Sequence, residues 1–127
     1  MPHVAAADRP QQPGKFDGSL VRIMLDEQTA ESVTLGEVVI KPGASVPLHR
    51  HKVEEAFYVI SGSGTALMGD EEVTVRAGDA LLAPAGDLHG FRNDSSDDIR
   101  MVFFYPIERV WAEYPGGEAP TSYSFGR

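Results

Sequence analysis

Between residues 20 and 105 the chain is cut every few residues by a turn signal, and the segments in between show almost no helical periodicity. In residues 20–25, Val21, Ile23 and Leu25 fall on one face, Arg22 and Met24 on the other. Residues 32–41 make a longer strand pattern closed by Pro42-Gly43. The β-branched and aromatic run 56–60 stops at Ser61-Gly62-Ser63-Gly64. Residues 65–68 and 72–76 flank Gly69-Asp70-Glu71 as a hairpin. Residues 80–83 and 88–92 bracket Pro84-Ala85-Gly86, and a polar loop at 93–98 precedes a last apolar strand at 99–105. About eight short strands separated by turns predict an all-β chain, an antiparallel sandwich or barrel.

Within that frame, three of the four histidines lie between Gly43 and Asn93. His49 and His51 are two apart, so on a strand both imidazoles leave the same face. Glu55 has the same parity, but a straight strand would carry it about 20 Å from His49. Ligands of one ion sit only about 2.0–2.2 Å from it. If these residues and His89 share a metal, the chain must turn back between Lys52 and Glu54, and His89 must arrive from a separate strand. The inert alternative is a set of hydrogen-bonded histidines at strand ends. His3, far from this segment, reads as a solvated terminal residue.

With 127 residues, one domain is expected. We divide it into a flexible N-terminal arm at 1–18, a barrel domain at 19–111 and a C-terminal tail at 112–127. Residues 107–111 read as an edge strand or a single helical turn, and Tyr123 and Phe125 as aromatic docking points of the tail. A net charge of −8 argues against nucleic acid as partner, since phosphate contacts need clustered Lys and Arg. The chain has no cysteine, so any metal site must use nitrogen and oxygen donors. It shows no secretory h-region and no apolar run long enough for a membrane span, so a cytoplasmic location without membrane contact is expected.

The segment from Gly43 reads G-x5-H-x-H-x3-E-x6-G, with His49, His51, Glu55 and Gly62 at the marked places. The segment from Gly78 reads G-x5-P-x-G-x2-H-x3-N, with Pro84, Gly86, His89 and Asn93. Together they resemble the two paired motifs of the cupin superfamily, with every marked residue present. The resemblance implies a double-sheet β-barrel of the jelly-roll type and a single divalent metal held by His49, His51, Glu55 and His89. It also implies a homodimer that pairs edge strands or exchanges terminal arms. A set of imidazoles and a carboxylate suits iron, manganese, nickel, copper or zinc, and the sequence does not choose among them. Asn93 is expected to make a supporting hydrogen bond or simply to hold its loop.

The pocket beside such an ion should be lined from the same strands: Phe57 and Val59 by parity with Glu55, and Phe91 by parity with His89. Arg22, Met24, Phe103 and Tyr105 are further candidates from flanking strands. Such a lining predicts a small, partly apolar organic substrate; Arg22 and Arg92 read as solvated surface charges, or as partners for a carboxylate on that substrate. Three functions fit. The first is an oxygenase cleaving a C–C bond, favoured because no second acid/base pair stands out. The second is a non-redox isomerase, decarboxylase or lyase, in which Glu55, His89 or a water moves protons. The third is a module that binds a small ligand without turnover.

Overall fold

The computed structural model describes residues 1–115 in full and residues 118–123 as backbone. A short 3-10 turn, Ala6–Asp8, comes first. The strands are β1 (Gln12–Pro13), β2 (Ser19–Leu25), β3 (Thr34–Ile40), β4 (Ser45–His51), β5 (Glu55–Ser61) and β6 (Ser63–Met68). They continue with β7 (Glu71–Arg76), β8 (Ala80–Ala83), β9 (His89–Arg92), β10 (Ile99–Tyr105), β11 (Val110–Tyr114) and β12 (Glu118–Tyr123). Two six-stranded sheets result, in the orders β1-β2-β3-β10-β5-β8 and β12-β11-β4-β9-β6-β7. The pairings within both sheets are antiparallel, which gives the double-sheet architecture that the strand pattern and the motifs predict.

The core lies between the sheets and follows the two-residue period of a strand. Along β10, Ile99, Met101, Phe103 and Tyr105 are buried, and the residues between them face outward. Ile40, Val59 and Val110 are fully buried around them. Each such side chain contributes about 1.5–3 kcal/mol by leaving water. Gly36 stands opposite Phe103 in the β3–β10 register, and a Cβ there would collide with the Phe103 ring. A bare backbone at this point is what lets a large ring lie flat against the sheet. Gly62, with φ +85°, turns β5 into β6 where a Cβ would strike the Asp98 carbonyl.

The chain ends differ from the sequence-based divisions in ways that matter to the site. Residues 110–114 continue one strand across the boundary drawn at Trp111. Ala112 pairs with His51 and Glu113 with Arg50, so β11 completes the hydrogen bonding of β4. Val110 and Ala112 are buried on one face, an alternation that makes the segment a strand rather than a helical turn. At the other end, the Arg22 guanidinium donates to the carbonyl oxygens of Ala6 and Arg9 and so holds the first turn against β2. The docking anticipated for Phe125 and for the Tyr123 side chain lies outside the described residues. Among the described residues no helix is long and apolar enough to cross a membrane.

Candidate metal centre

His49 and His51 sit at the end of β4, with His89 opposite His49 as the first residue of β9. Residues 52–54 then carry the chain out of the second sheet and into the first, where Glu55 opens β5. The reversal demanded by the spacing is therefore a crossing between sheets. The turn that delivers His89 is tied down as well: the Gly86 N–H donates to the His51 carbonyl at 2.8 Å. All four side chains are buried, and one donor atom from each lies within 4.8 Å of the others.

The hydrogen bonds of the rings settle which nitrogen points inward. His49 Nδ1 faces the Pro47 carbonyl at 2.8 Å, His51 Nδ1 the Trp111 carbonyl at 2.9 Å and His89 Nδ1 the Asp87 carbonyl at 3.2 Å. A carbonyl only accepts, so each Nδ1 carries the proton and donates it. The Nε2 atoms are then turned to the centre, where their lone pairs would meet a bound metal. Glu55 Oε1 meets two of them, His51 Nε2 at 3.1 Å and His89 Nε2 at 3.0 Å. Two ring nitrogens and a carboxylate oxygen this close in a buried space need protons or a metal cation between them, and backbone-oriented imidazoles are the usual support of a metal ligand. The residues present fit a divalent ion.

Electrostatics agree. Burial, reinforced by the neighbouring His89, lowers the His49 pKa to about 4, so the ring is neutral and available as a ligand at ordinary pH. Burial alone would push the Glu55 carboxyl up, but hydrogen bonds to His51 and His89 outweigh it and hold the carboxylate below its ordinary value.

A cavity of about 120 Å³ adjoins His49 and Glu55 between the two sheets. Phe57, Phe91, Phe103 and Tyr105 line it, with Phe57 and Phe91 packed edge to face at 4.9 Å. The Tyr105 hydroxyl lies 3.2 Å from His51 Nε2 and so reaches into the donor cluster itself. Val59 is fully buried but is not part of this wall. Arg22 and Met24 do not line it either; Ser19 and Val21 take the place on β2 that these two were expected to hold. The apolar face of β2 turns inward, as burial requires, and leaves Arg22 to the outer face beside Glu37, 3.9 Å away. Arg92 also points away from the cavity, paired with Glu72 and Asp94. Asn93 is completely buried: its amide donates to the Ile40 and Asp97 carbonyls, and its carbonyl oxygen accepts from Ser95.

Sequence reasoning missed several contributors, among them the following. Lys15, Phe16 and Tyr114 also line the cavity, and the Trp111 carbonyl orients His51. Alternation through residues 110–114 was a readable signal for Tyr114. A backbone carbonyl carries no residue signature, and the position of Lys15 and Phe16 is a product of tertiary folding.

The sequence profile described as "Cupin domain" matches residues 36–105. The chain belongs to the cupin family. Among its relatives, Polyketide synthase CurC of Streptomyces cyaneus is 32% identical over 95 residues, 72% of this chain and 62% of that protein. Acireductone dioxygenase of Drosophila melanogaster is 32% identical over 94 residues, 70% of this chain and 50% of that one. This cupin therefore spans between half and two thirds of the length of these two proteins. The polyketide cyclase RemF from Streptomyces resistomycificus shares its fold, with a TM-score of 0.79 at 23% identity, covering 100% of this chain and 87% of that one.

Proposed function

We propose that this cupin is a metal-dependent enzyme that enolises a small carbonyl compound without an oxidant. The observation that carries the reading is the Tyr105 hydroxyl at 3.2 Å from His51 Nε2, on the wall of an apolar cavity that ends at the donor cluster. The sequence nominated Tyr105 only for the cavity wall; its approach to His51 supports a role as the acid/base group beside the ligands. A divalent ion held by His49, His51, Glu55 and His89 would supply Lewis-acid stabilisation of the negative charge that develops on a carbonyl oxygen.

The chain's own groups do the rest. Tyr105 donates a hydrogen bond to the same oxygen as it gains charge. Glu55 is the carboxylate on the cavity wall among the described residues, and its lowered pKa keeps it ionised as the acceptor of the proton on the adjacent carbon. Phe57, Phe91 and Phe103 hold the apolar part of the substrate and exclude water. A cavity of about 120 Å³ is close to one that accommodates a benzene ring, so one ring or its equivalent fits inside. Polyketides carry carbonyl groups that enolise readily and an acireductone is itself an enolised dicarbonyl, and the two relatives are named for these compounds.

A second reading, an oxygenase that cleaves a C–C bond, is favoured by the likeness to acireductone dioxygenase. The test uses cyclohexanone in deuterated buffer under nitrogen, with metal-loaded protein and proton NMR. Enolisation predicts exchange of the protons beside the carbonyl well above the buffer rate. It should vanish in His51→Ala and slow at least tenfold in Tyr105→Phe. Absence of anaerobic exchange, with oxygen consumed in step with loss of an enediol probe, would transfer the assignment to the oxygenase. Binding with neither reaction would leave a ligand-binding module.

A further inference from the structure

Two of the three imidazoles take support from β11, a strand that supplies no donor of its own. The Trp111 carbonyl accepts from His51 Nδ1 at 2.9 Å, and the Tyr114 ring lies over the His49 imidazole at 5.1 Å, 23° from parallel. In the sheet order β11 stands between β12 and β4, so among the described residues it joins the donor-bearing strands through β4.

That junction falls where β4 has least support from its other side. The ladder from β4 to β9 shifts register between Val46 and His49, and Arg50 and His51 pair with Glu113 and Ala112 of β11 instead. Arg50, between the two ligands, turns to the opposite face of β4 and meets Glu113 as a fork. Its Nε donates to Oε2 at 3.1 Å and its Nη2 to Oε1 at 2.9 Å. One residue past His51, the Lys52 ammonium sits 4.7 Å from the centre of the Trp111 ring.

Burial of Val110 and Ala112 keeps β11 on the core, but apolar contact is non-directional and does not by itself aim a carbonyl. A bidentate ion pair does, because both of its hydrogen bonds are met in a single alignment of the two strands. We propose that the Arg50–Glu113 pair is a positioning device for the metal centre, holding β11 where the Trp111 carbonyl meets His51. Released from that carbonyl, the His51 ring would rotate more freely and its Nε2 would no longer be aimed at the other donors. The proposal rests on the metal centre and not on the chemistry assigned to it. Groups that orient a ligand directly change metal affinity by about 10–100-fold. This pair acts one step further out and is part-exposed, where an ion pair is worth at most about a fivefold change in an equilibrium. The smaller figure bounds the expected effect.

The test is the release of cobalt(II) from the full-length protein into excess EDTA, followed by visible absorption. Glu113→Gln should release cobalt about threefold to fivefold faster than wild type. Arg50→Glu combined with Glu113→Arg should restore the wild-type rate, since the pair is rebuilt with its signs exchanged. Glu72→Gln breaks a comparable pair with Arg92 away from the centre and should leave release unchanged. Salt needs no variant: raising it from about 0.01 M to about 1 M should speed release from wild type and leave Glu113→Gln nearly unmoved. Unchanged release in Glu113→Gln, equal acceleration in Glu72→Gln, no recovery in the exchanged pair or a salt response shared by Glu113→Gln would overturn the proposal. A wild type that takes up no cobalt would remove the metal centre and this proposal together. Uptake with equal release rates would remove the positioning role alone.

Discussion

His49 makes the metal-free protein sensitive to mild acid. In the unfolded chain its imidazole takes a proton near pH 6.5, whereas in the folded protein burial and His89 delay this to about pH 4. Above pH 6.5 both states hold a neutral ring and His49 adds no pH dependence. As the pH falls from 6.5 toward 4, only the unfolded state gains the proton, so folded stability is lost across that window. The gap is worth about 3 kcal/mol, at about 1.4 kcal/mol per pH unit. With His49 only 7% exposed, solvent screening takes little from it. Urea denaturation in the presence of a chelator, at intervals from pH 7.5 to 4, reads the effect directly. His49→Gln should flatten the decline by about that amount. Parallel curves for the two proteins would refute the reasoning, because the loss would then belong to other groups.

Further outcomes follow from the same geometry. Asn93→Ala removes the donor to two carbonyls and the acceptor for Ser95, and should cost about 2–4 kcal/mol in urea denaturation with metal content kept. Glu55→Gln should fold yet lose most of its metal by elemental analysis, since the amide leaves the Nε2 lone pairs facing a neutral group. Tyr58, Ile60 and Leu82 are exposed beside β8, which lies at the end of its sheet order, so we propose that a homodimer covers this face. Sedimentation should show a dimer in wild type and a monomer in Leu82→Lys, and a monomeric wild type would dismiss the pairing.

Much of this protein was legible as spacing. His49 and His51 two apart, Glu55 four further on and His89 after a Pro-x-Gly turn are local patterns, and a local pattern survives folding. The inward parity of Phe57 and Phe91 followed from the residues that share their strands. The pocket role considered for Arg22 fails, and its reading as an outward charge stands, because the apolar side of β2 had the stronger claim on the interior. Its actual partners are carbonyls of the first turn, which have no side-chain signature. Tyr105 could be nominated from the last apolar strand, but its approach to His51 depends on how two sheets face each other. Lys15 and Phe16 lay beyond pattern reading altogether, because a hairpin brings them to a site formed dozens of residues later.

The crossing at residues 52–54 has a consequence for how the chain finds its pairing. The donors come from both sheets, with β4 and β9 on one side and β5 on the other. A slip of β4 by one residue would replace His49 and His51 with Leu48 and Arg50 at the centre. A slipped chain therefore offers an ion a cationic guanidinium in place of two imidazoles and binds none. A metal held by these four residues would act as a proofreader of strand alignment: it would reward the correct register and give nothing to its nearest competitors. Refolding with metal present should accordingly yield fewer misaligned chains than refolding with a chelator.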